Sequence, residues 1–461
     1  MYIFQTSHLN LGVVNLVNRL VNPPLGDGGM TASVIFAPMT LIEKDRKYIW
    51  HPFTQQKNME NPVAVVKGEG TLLFDEAGNS YVDAISSWWV NLHGHGHPYI
   101  AEKLYRQALQ LEQVIFAGFT HQPAVELAER LLPLLPGNFA KVFYSDNGST
   151  STEVALKMAL QYWWNQGQKQ RTKILAFKDA YHGDTFGAMS VSDRSVFTMA
   201  FHGLLFEVFF IDTPDAENIQ ALKVIVDGEA GHIAAFIYEP LVQGAGGIKM
   251  YAAPYMDALL AHIKQQEIIC IADEVMTGFG RTGKLFAGEY LAEKADIICL
   301  SKGLTGGTMA LGVTACNSRI YEAFVNDDKY KTFFHGHSFT ANPLACTAAL
   351  ASLDLLLRQE CLQQIAWLSQ QNSAFAATLT DKYCIKNVRY LGTILAFEIN
   401  SGNDGYLNNI GSVVTQLSMA QGVYLRPLGN TVYIMPPYCT KKEELEKIYN
   451  LLNDIIGRYG G

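Results

Sequence analysis

Charge is scarce in this chain. Asp, Glu, Lys and Arg make up 17% of 461 residues, and 35 basic against 43 acidic side chains leave a net charge of −8. A nucleic-acid surface or a polybasic membrane patch needs the opposite sign, so neither is an expected partner. Cysteine is present but unpatterned. The seven, at positions 270, 299, 316, 346, 361, 384 and 439, are odd in number and in no metal-ligand spacing. Several lie inside apolar runs, so they read as buried, reduced thiols of a reducing compartment, which points to the cytoplasm. No apolar run approaches the roughly 20 residues of a membrane span. Internal repeats and low-complexity tracts are missing as well. Met1–Gly26 lacks any acidic residue and has Arg19 as its one basic residue. A signal peptide wants a charged start and a transit peptide more arginine, so neither fits. With the breaker cluster that begins at Asn22-Pro-Pro, residues 1–38 are expected to lie outside the fold, either disordered or read through from upstream of a start at Met39.

What is abundant is apolar. A hydrophobic content of 49% describes a compact chain, long enough for two domains around a large core. Two short apolar runs organise it: Ile268–Ala272, ending in Asp273, and Ile297–Leu300, followed by Lys302. Each fits a strand buried on both faces of a parallel sheet, and each leads into a Gly-containing turn. A separation of 29 residues between Asp273 and Lys302 leaves room for one crossover between parallel strands. Ligands of open α/β sheets bind beyond the carboxyl ends of the strands. A lone Asp there reads as a turn residue and a lone Lys as solvated. As a pair, they suit pyridoxal phosphate: the lysine holds the aldehyde as a Schiff base and the aspartate faces the pyridine nitrogen.

The remaining pattern alternates. Short antiparallel strands are expected at Val63–Lys67, Thr71–Phe74 and Ser80–Ile85. Helical spacing covers Ile100–Phe116, Pro123–Leu135, Glu153–Trp164, Pro254–Gln266 and Ala345–Gln359. Strands are expected at Lys141–Tyr144, Ile174–Phe177, Ile233–Tyr238 and Val313–Cys316, giving a mostly parallel, doubly wound sheet. Beyond it, Ile394–Ile399 and Val432–Met435 alternate with helices as an α+β part. Gly148-Ser149 opens a helix after a strand, a ready anion site that also reads as an ordinary cap. Tyr181 falls just beyond a strand and can stack on a flat ring. Trp88 and Trp89 are adjacent, so they cannot both face one side: one lines an opening, or both are core. His93, His95 and His97 alternate with glycine, which gives metal ligands no rigid scaffold, and no metal is expected.

Ile271-Ala-Asp-Glu-Val-Met-Thr-Gly-Phe-Gly-Arg-Thr-Gly together with Ser301-Lys-Gly-Leu-Thr-Gly-Gly resembles the signature of class III aminotransferases of PLP fold type I. Ile49-Trp-His-Pro, Ser86-Ser-Trp-Trp, Tyr181-His-Gly-Asp-Thr and Val242-Gln-Gly-Ala-Gly-Gly are similar to the branch of that family that aminates 8-amino-7-oxononanoate in biotin synthesis. The likeness runs from about Lys47 to the C-terminus. It implies a large PLP-binding domain over residues 86–345, and a smaller α+β domain built from both chain ends, 39–85 and 346–461. Lys302 is then the Schiff-base lysine, Asp273 the partner of the pyridine nitrogen, and Tyr181 the residue over the ring. Gly148 and Ser149 match the phosphate-binding turn. Trp88, Trp89 and Arg426 match substrate-binding positions. Arg281 is placed either near substrate or as a turn stabiliser. Gly336, His337 and Ser338 match a loop that reaches the neighbouring subunit's cofactor, which implies a homodimer with shared sites. S-adenosylmethionine is the implied amino donor. Three departures stand out: Phe53 where the branch often has tyrosine, which puts lysine forward as an alternative donor; His337-Ser338 where Pro-Thr is common; and His95, an extra histidine without an assigned role. Another class III transaminase acting on ornithine or 4-aminobutyrate is the neighbouring alternative.

Overall fold

The computed structural model describes residues 39–379, 382–400 and 410–459, so the expectation for residues 1–38 falls outside the described residues. The chain divides into two compact units, Met1–Ala64 and Val65–Gly461. In the first, the helix Leu41–Tyr48 starts at a capping box: Glu43 N–H donates to the Thr40 hydroxyl and Thr40 N–H to the Glu43 carboxylate. No residue of that helix is buried.

The second unit opens with β1 (Val65–Glu69), β2 (Leu72–Asp75) and β3 (Ser80–Asp83), an antiparallel meander close to the expected runs. Seven strands then build the large sheet: β4 (Phe139–Ser145), β5 (Lys173–Phe177), β6 (Val208–Ile211), β7 (Ile233–Tyr238), β10 (Ile269–Asp273), β11 (Ile297–Leu300) and β12 (Gly312–Asn317). A small hairpin, β8 (Val242–Gln243) with β9 (Lys249–Met250), lies between β7 and β10 in sequence. The order in the large sheet is β4-β12-β11-β10-β7-β5-β6. The sheet is mostly parallel, as expected, but β12 runs antiparallel to both its neighbours. The connection from β11 to β12, residues 301–311, holds only the short turn Lys302–Thr305 and no helix that could make the crossover a parallel neighbour would need. Every residue of β7, β10 and β11 is buried, which is why these segments read as continuous apolar runs rather than alternating ones.

Toward the C-terminus, β13 (Ile385–Leu391), β14 (Ile394–Ile399) and β16 (Thr431–Ile434) form a second antiparallel sheet. The two-residue β15 (Val423–Tyr424) adds in parallel to β3, so the two ends of this unit share one sheet. Five of the seven cysteines are buried; Cys361 is half-buried and Cys439 exposed, which departs from the expected burial of all seven. No helix among the described residues is long and apolar enough to cross a membrane.

Candidate active site

Three neighbouring parallel strands, β7, β10 and β11, end at the same edge, and each delivers an ionisable group there: Glu239, Asp273 and Lys302. Lys302 takes φ +44°, a left-handed backbone that costs a non-glycine residue about 1–3 kcal/mol and turns its side chain away from the strand line. Its amine lies 5.2 Å from the centroid of the Trp89 ring. Burial holds the Lys302 pKa below the ordinary amine value, opposed by the charges of Asp273, Glu239 and Asp184. An amine so placed has a larger neutral fraction near neutrality, which a nucleophile and proton carrier requires.

Asp273 is buried and anchored: it accepts from Val275 N–H at 3.0 Å and lies 2.6 Å from His182 Nδ1. An ionised carboxylate has about four acceptor sites, so two remain for a further donor. Glu239 accepts the N–H groups of Tyr181 (3.2 Å) and Gly244 (2.7 Å), and burial pushes its pKa up to about 7. The Tyr181 phenol is raised by burial and by the charges of Asp184, Asp273 and Glu239. Lys302, Asp273 and Tyr181 therefore sit in one electrostatic cluster. His182, Asp184 and Glu239 join it and were not singled out. The signal for Glu239 was available, since it ends a buried strand just as Asp273 does.

Beside this cluster begins the helix Gly148–Asn165, capped by Asn147, whose side chain accepts from Thr150 N–H at 2.9 Å. Gly148 and Ser149 precede the first intrahelical acceptor pair, Ser151 N–H to Asn147 O, so their N–H groups face outward at the positive helix end. The Ser149 hydroxyl accepts from Asp184 N–H at 3.1 Å, tying this turn to the Tyr181 loop. Between them lies Gly183 at φ +128°, where a Cβ would stand 2.0 Å from Ser149 Oγ and 2.7 Å from Ser149 Cα. Only glycine permits that approach.

The tryptophan pair divides as the alternation argument allowed. Trp89 is buried, with its indole N–H donating to Tyr433 Oη at 2.9 Å; Trp88 is 41% exposed and carries the Arg426 guanidinium 4.7 Å over its ring. Arg281 is fully buried and its terminal nitrogens donate to protein carbonyls, Pro436 O (3.1 Å), Trp89 O (3.3 Å) and Asn91 O (3.0 Å), while its Nε has no partner among the described residues. This geometry favours the turn-stabilising alternative. Gly336, His337 and Ser338 lie on a loop whose hydrogen bonds go to Thr340, Phe339 and Gln113, away from the cluster's own hydrogen bonds. Phe53 belongs to the other compact unit, is 46% exposed and has φ +49°.

The sequence profile of the class-III aminotransferases matches residues 53–456. The chain belongs to the class III aminotransferases. It is 47% identical over 419 residues to the adenosylmethionine-8-amino-7-oxononanoate aminotransferase of Synechococcus elongatus, covering 89% of this chain and 98% of that protein. The like-named protein of Geobacter sulfurreducens is 39% identical, over 90% of this chain and 97% of its own length. A crystal structure of the like-named protein from Methanocaldococcus jannaschii superposes with a TM-score of 0.87 at 34% identity, covering 91% of this chain and 98% of that one. A class III aminotransferase is a transaminase that works with pyridoxal 5′-phosphate, and the residues present fit that group. The Gly148–Ser149 helix end suits a phosphate, Asp273 has acceptor capacity left for a protonated ring nitrogen, and Lys302 offers an amine held below its ordinary pKa.

Proposed function

We propose that this chain transfers an amino group from S-adenosylmethionine to the C7 ketone of 8-amino-7-oxononanoate, giving 7,8-diaminononanoate for biotin synthesis. The observation that carries the reading is the convergence of Lys302, Asp273 and Tyr181 at one strand edge. The names borne by its relatives supply the substrates. When bound, pyridoxal phosphate would supply an aldehyde able to carry the amino group and a ring able to take up the electrons of the reacting carbon. Lys302 would hold the aldehyde, and its amine would carry the protons that leave the donor carbon and reach the acceptor carbon. Asp273 keeps the ring nitrogen protonated, and His182, 2.6 Å away, fixes its carboxylate. Gly148 and Ser149 hold the phosphate by backbone N–H and hydroxyl, and Tyr181 stacks on the ring. The Arg426 guanidinium, steadied over Trp88, receives the acceptor's terminal carboxylate. Trp89 walls the site beside Lys302. Arg281 acts through the carbonyls it holds.

Two copies make the working enzyme in this reading, with Gly336, His337 and Ser338 of each completing the other's cofactor site, in the cytoplasm. Residues 86–345 form the cofactor domain, and 39–85 with 346–461 the smaller one. The test is turnover by purified holoenzyme supplied with 8-amino-7-oxononanoate and either S-adenosylmethionine or lysine, with diaminononanoate read by mass spectrometry. S-adenosylmethionine is expected to serve; turnover with lysine alone would assign the donor to the alternative that Phe53 raises. Amination of 2-oxoglutarate from ornithine or 4-aminobutyrate, with none of the oxononanoate, would overturn the reading. Lys302→Ala is expected to abolish turnover, and full activity in that variant would end the mechanism.

A further inference from the structure

We infer that His95 is a positioning residue for the acceptor side of the site: it holds the Asp83 carboxylate, and through it the strained turn that presents Trp88. The turn is the starting point. Ser86 (φ +53°), Ser87 (φ +59°) and Trp89 (φ +65°) are three left-handed non-glycine residues within four positions. Each is a strained conformation that persists only where its surroundings over-determine it. The anchor at its start is Asp83, which has no exposed surface and accepts from Ile85 N–H (3.3 Å), Ser87 N–H (2.8 Å) and Ser87 Oγ (2.9 Å). The remaining contact is His95 Nε2, at 2.9 Å.

The network assigns the proton on that ring. Gly94 N–H donates to Asn91 Oδ1 at 2.7 Å, which leaves the Asn91 amide to donate to His95 Nδ1 at 3.1 Å. Nδ1 is then an acceptor, and Nε2 carries the hydrogen that Asp83 receives. The imidazole is itself held by its backbone, which exchanges two hydrogen bonds with Gly70: His95 N–H to Gly70 O (2.7 Å) and Gly70 N–H to His95 O (3.1 Å). Gly68 closes the fit, since a Cβ there would stand 2.5 Å from His95 Cβ. The alternation of histidine with glycine in this stretch thus serves close packing on the β1–β2 hairpin. The chain of contact runs from that hairpin through His95, Asp83 and Ser87 to Trp88, whose ring carries Arg426.

This inference rests on the proposed reading, in which Trp88 and Arg426 face the acceptor. Its test separates the two half-reactions in holoenzyme, following cofactor absorbance. His95→Leu is expected to raise the acceptor KM about tenfold, the scale of one buried hydrogen bond to a charge, while the donor half-reaction stays within about twofold. His95→Gln, which keeps an N–H able to reach Asp83, is expected to restore the KM to within about threefold of wild type. Gly68→Ala, which keeps the imidazole but displaces it, is expected to raise the acceptor KM as His95→Leu does. An unchanged acceptor KM in His95→Leu overturns the inference, and so does a parallel fall of both half-reactions with loss of bound cofactor. Should His95→Leu fail to accumulate, a wild-type acceptor KM in Gly68→Ala overturns it instead. If wild-type enzyme ignores 8-amino-7-oxononanoate, the function reading falls separately, and the same comparison is made on whichever oxo acceptor it uses.

Discussion

Replacing Arg281 by methionine decides between its two possible roles. The guanidinium lies in the core with only 1% of its surface exposed. Burial pulls its pKa below the ordinary value, and the Tyr438 ring, 5.2 Å away, is its nearest π-face. Such a cation is costly to desolvate, and the carbonyls of Trp89, Asn91 and Pro436 offset that cost together with the charge of Asp83. Methionine fills similar volume but strands those carbonyls, at about 1–2 kcal/mol each, while relieving part of the desolvation cost. A net loss of about 3 kcal/mol is expected. With an unfolding entropy of about 2.1 cal/mol/K per residue over about 400 described residues, that lowers Tm by about 3–4 °C. Scanning calorimetry of the cofactor-free protein measures it without substrate. Arg281→Lys should lose about half as much, because one ammonium cannot span three diverging acceptors. An unchanged Tm together with a raised acceptor KM would refute the reasoning and put the guanidinium on the substrate.

Two further outcomes are expected. Gly183→Ala should lower affinity for pyridoxal phosphate by about a hundredfold, because its Cβ would drive Ser149 out of the phosphate turn; equilibrium dialysis reads it, and wild-type affinity would contradict the 2.0 Å clash. Glu239 has a folded-state pKa raised from 4.5 to about 7 by burial, so its contribution to stability is fully present below pH 4.5 and is lost as pH rises through 7. At about 1.4 kcal/mol per pKa unit this is about 3 kcal/mol, and denaturation of the cofactor-free protein between pH 5 and 7 should show a slope that Glu239→Gln flattens.

The strands that carry the chemistry were the easiest to read. β7 and β11 begin and end where the apolar runs do, because a strand buried on both faces needs an unbroken run and stops where a charge appears. The same logic placed Lys302 and Asp273 one crossover apart, and the two strands do pair in parallel. β6 was missed: Val208–Ile211 is short and only partly buried, so four apolar residues after a run of loop carried too little signal. β12 was assigned correctly as a strand, but direction is a property of the connection, and a tight turn after Lys302 forces the chain back beside β11.

The Trp88 turn shows why the rest of the site was not legible. Local propensity disfavours left-handed serine and tryptophan, so no window around residues 86–89 predicts this backbone. What imposes it is remote: Ser86 Oγ donates to Met435 O at 2.8 Å, Met435 N–H donates to Ala84 O at 2.8 Å, and Arg281 holds the carbonyls at the far side. Those partners lie hundreds of residues away in the chain, and their pairing exists only once β3 and the C-terminal segment meet. A motif such as Ser-Ser-Trp-Trp therefore announces a site without disclosing its shape. The strain stored there has a use: two adjacent tryptophans are turned to opposite duties, one walling Lys302 and the other holding Arg426.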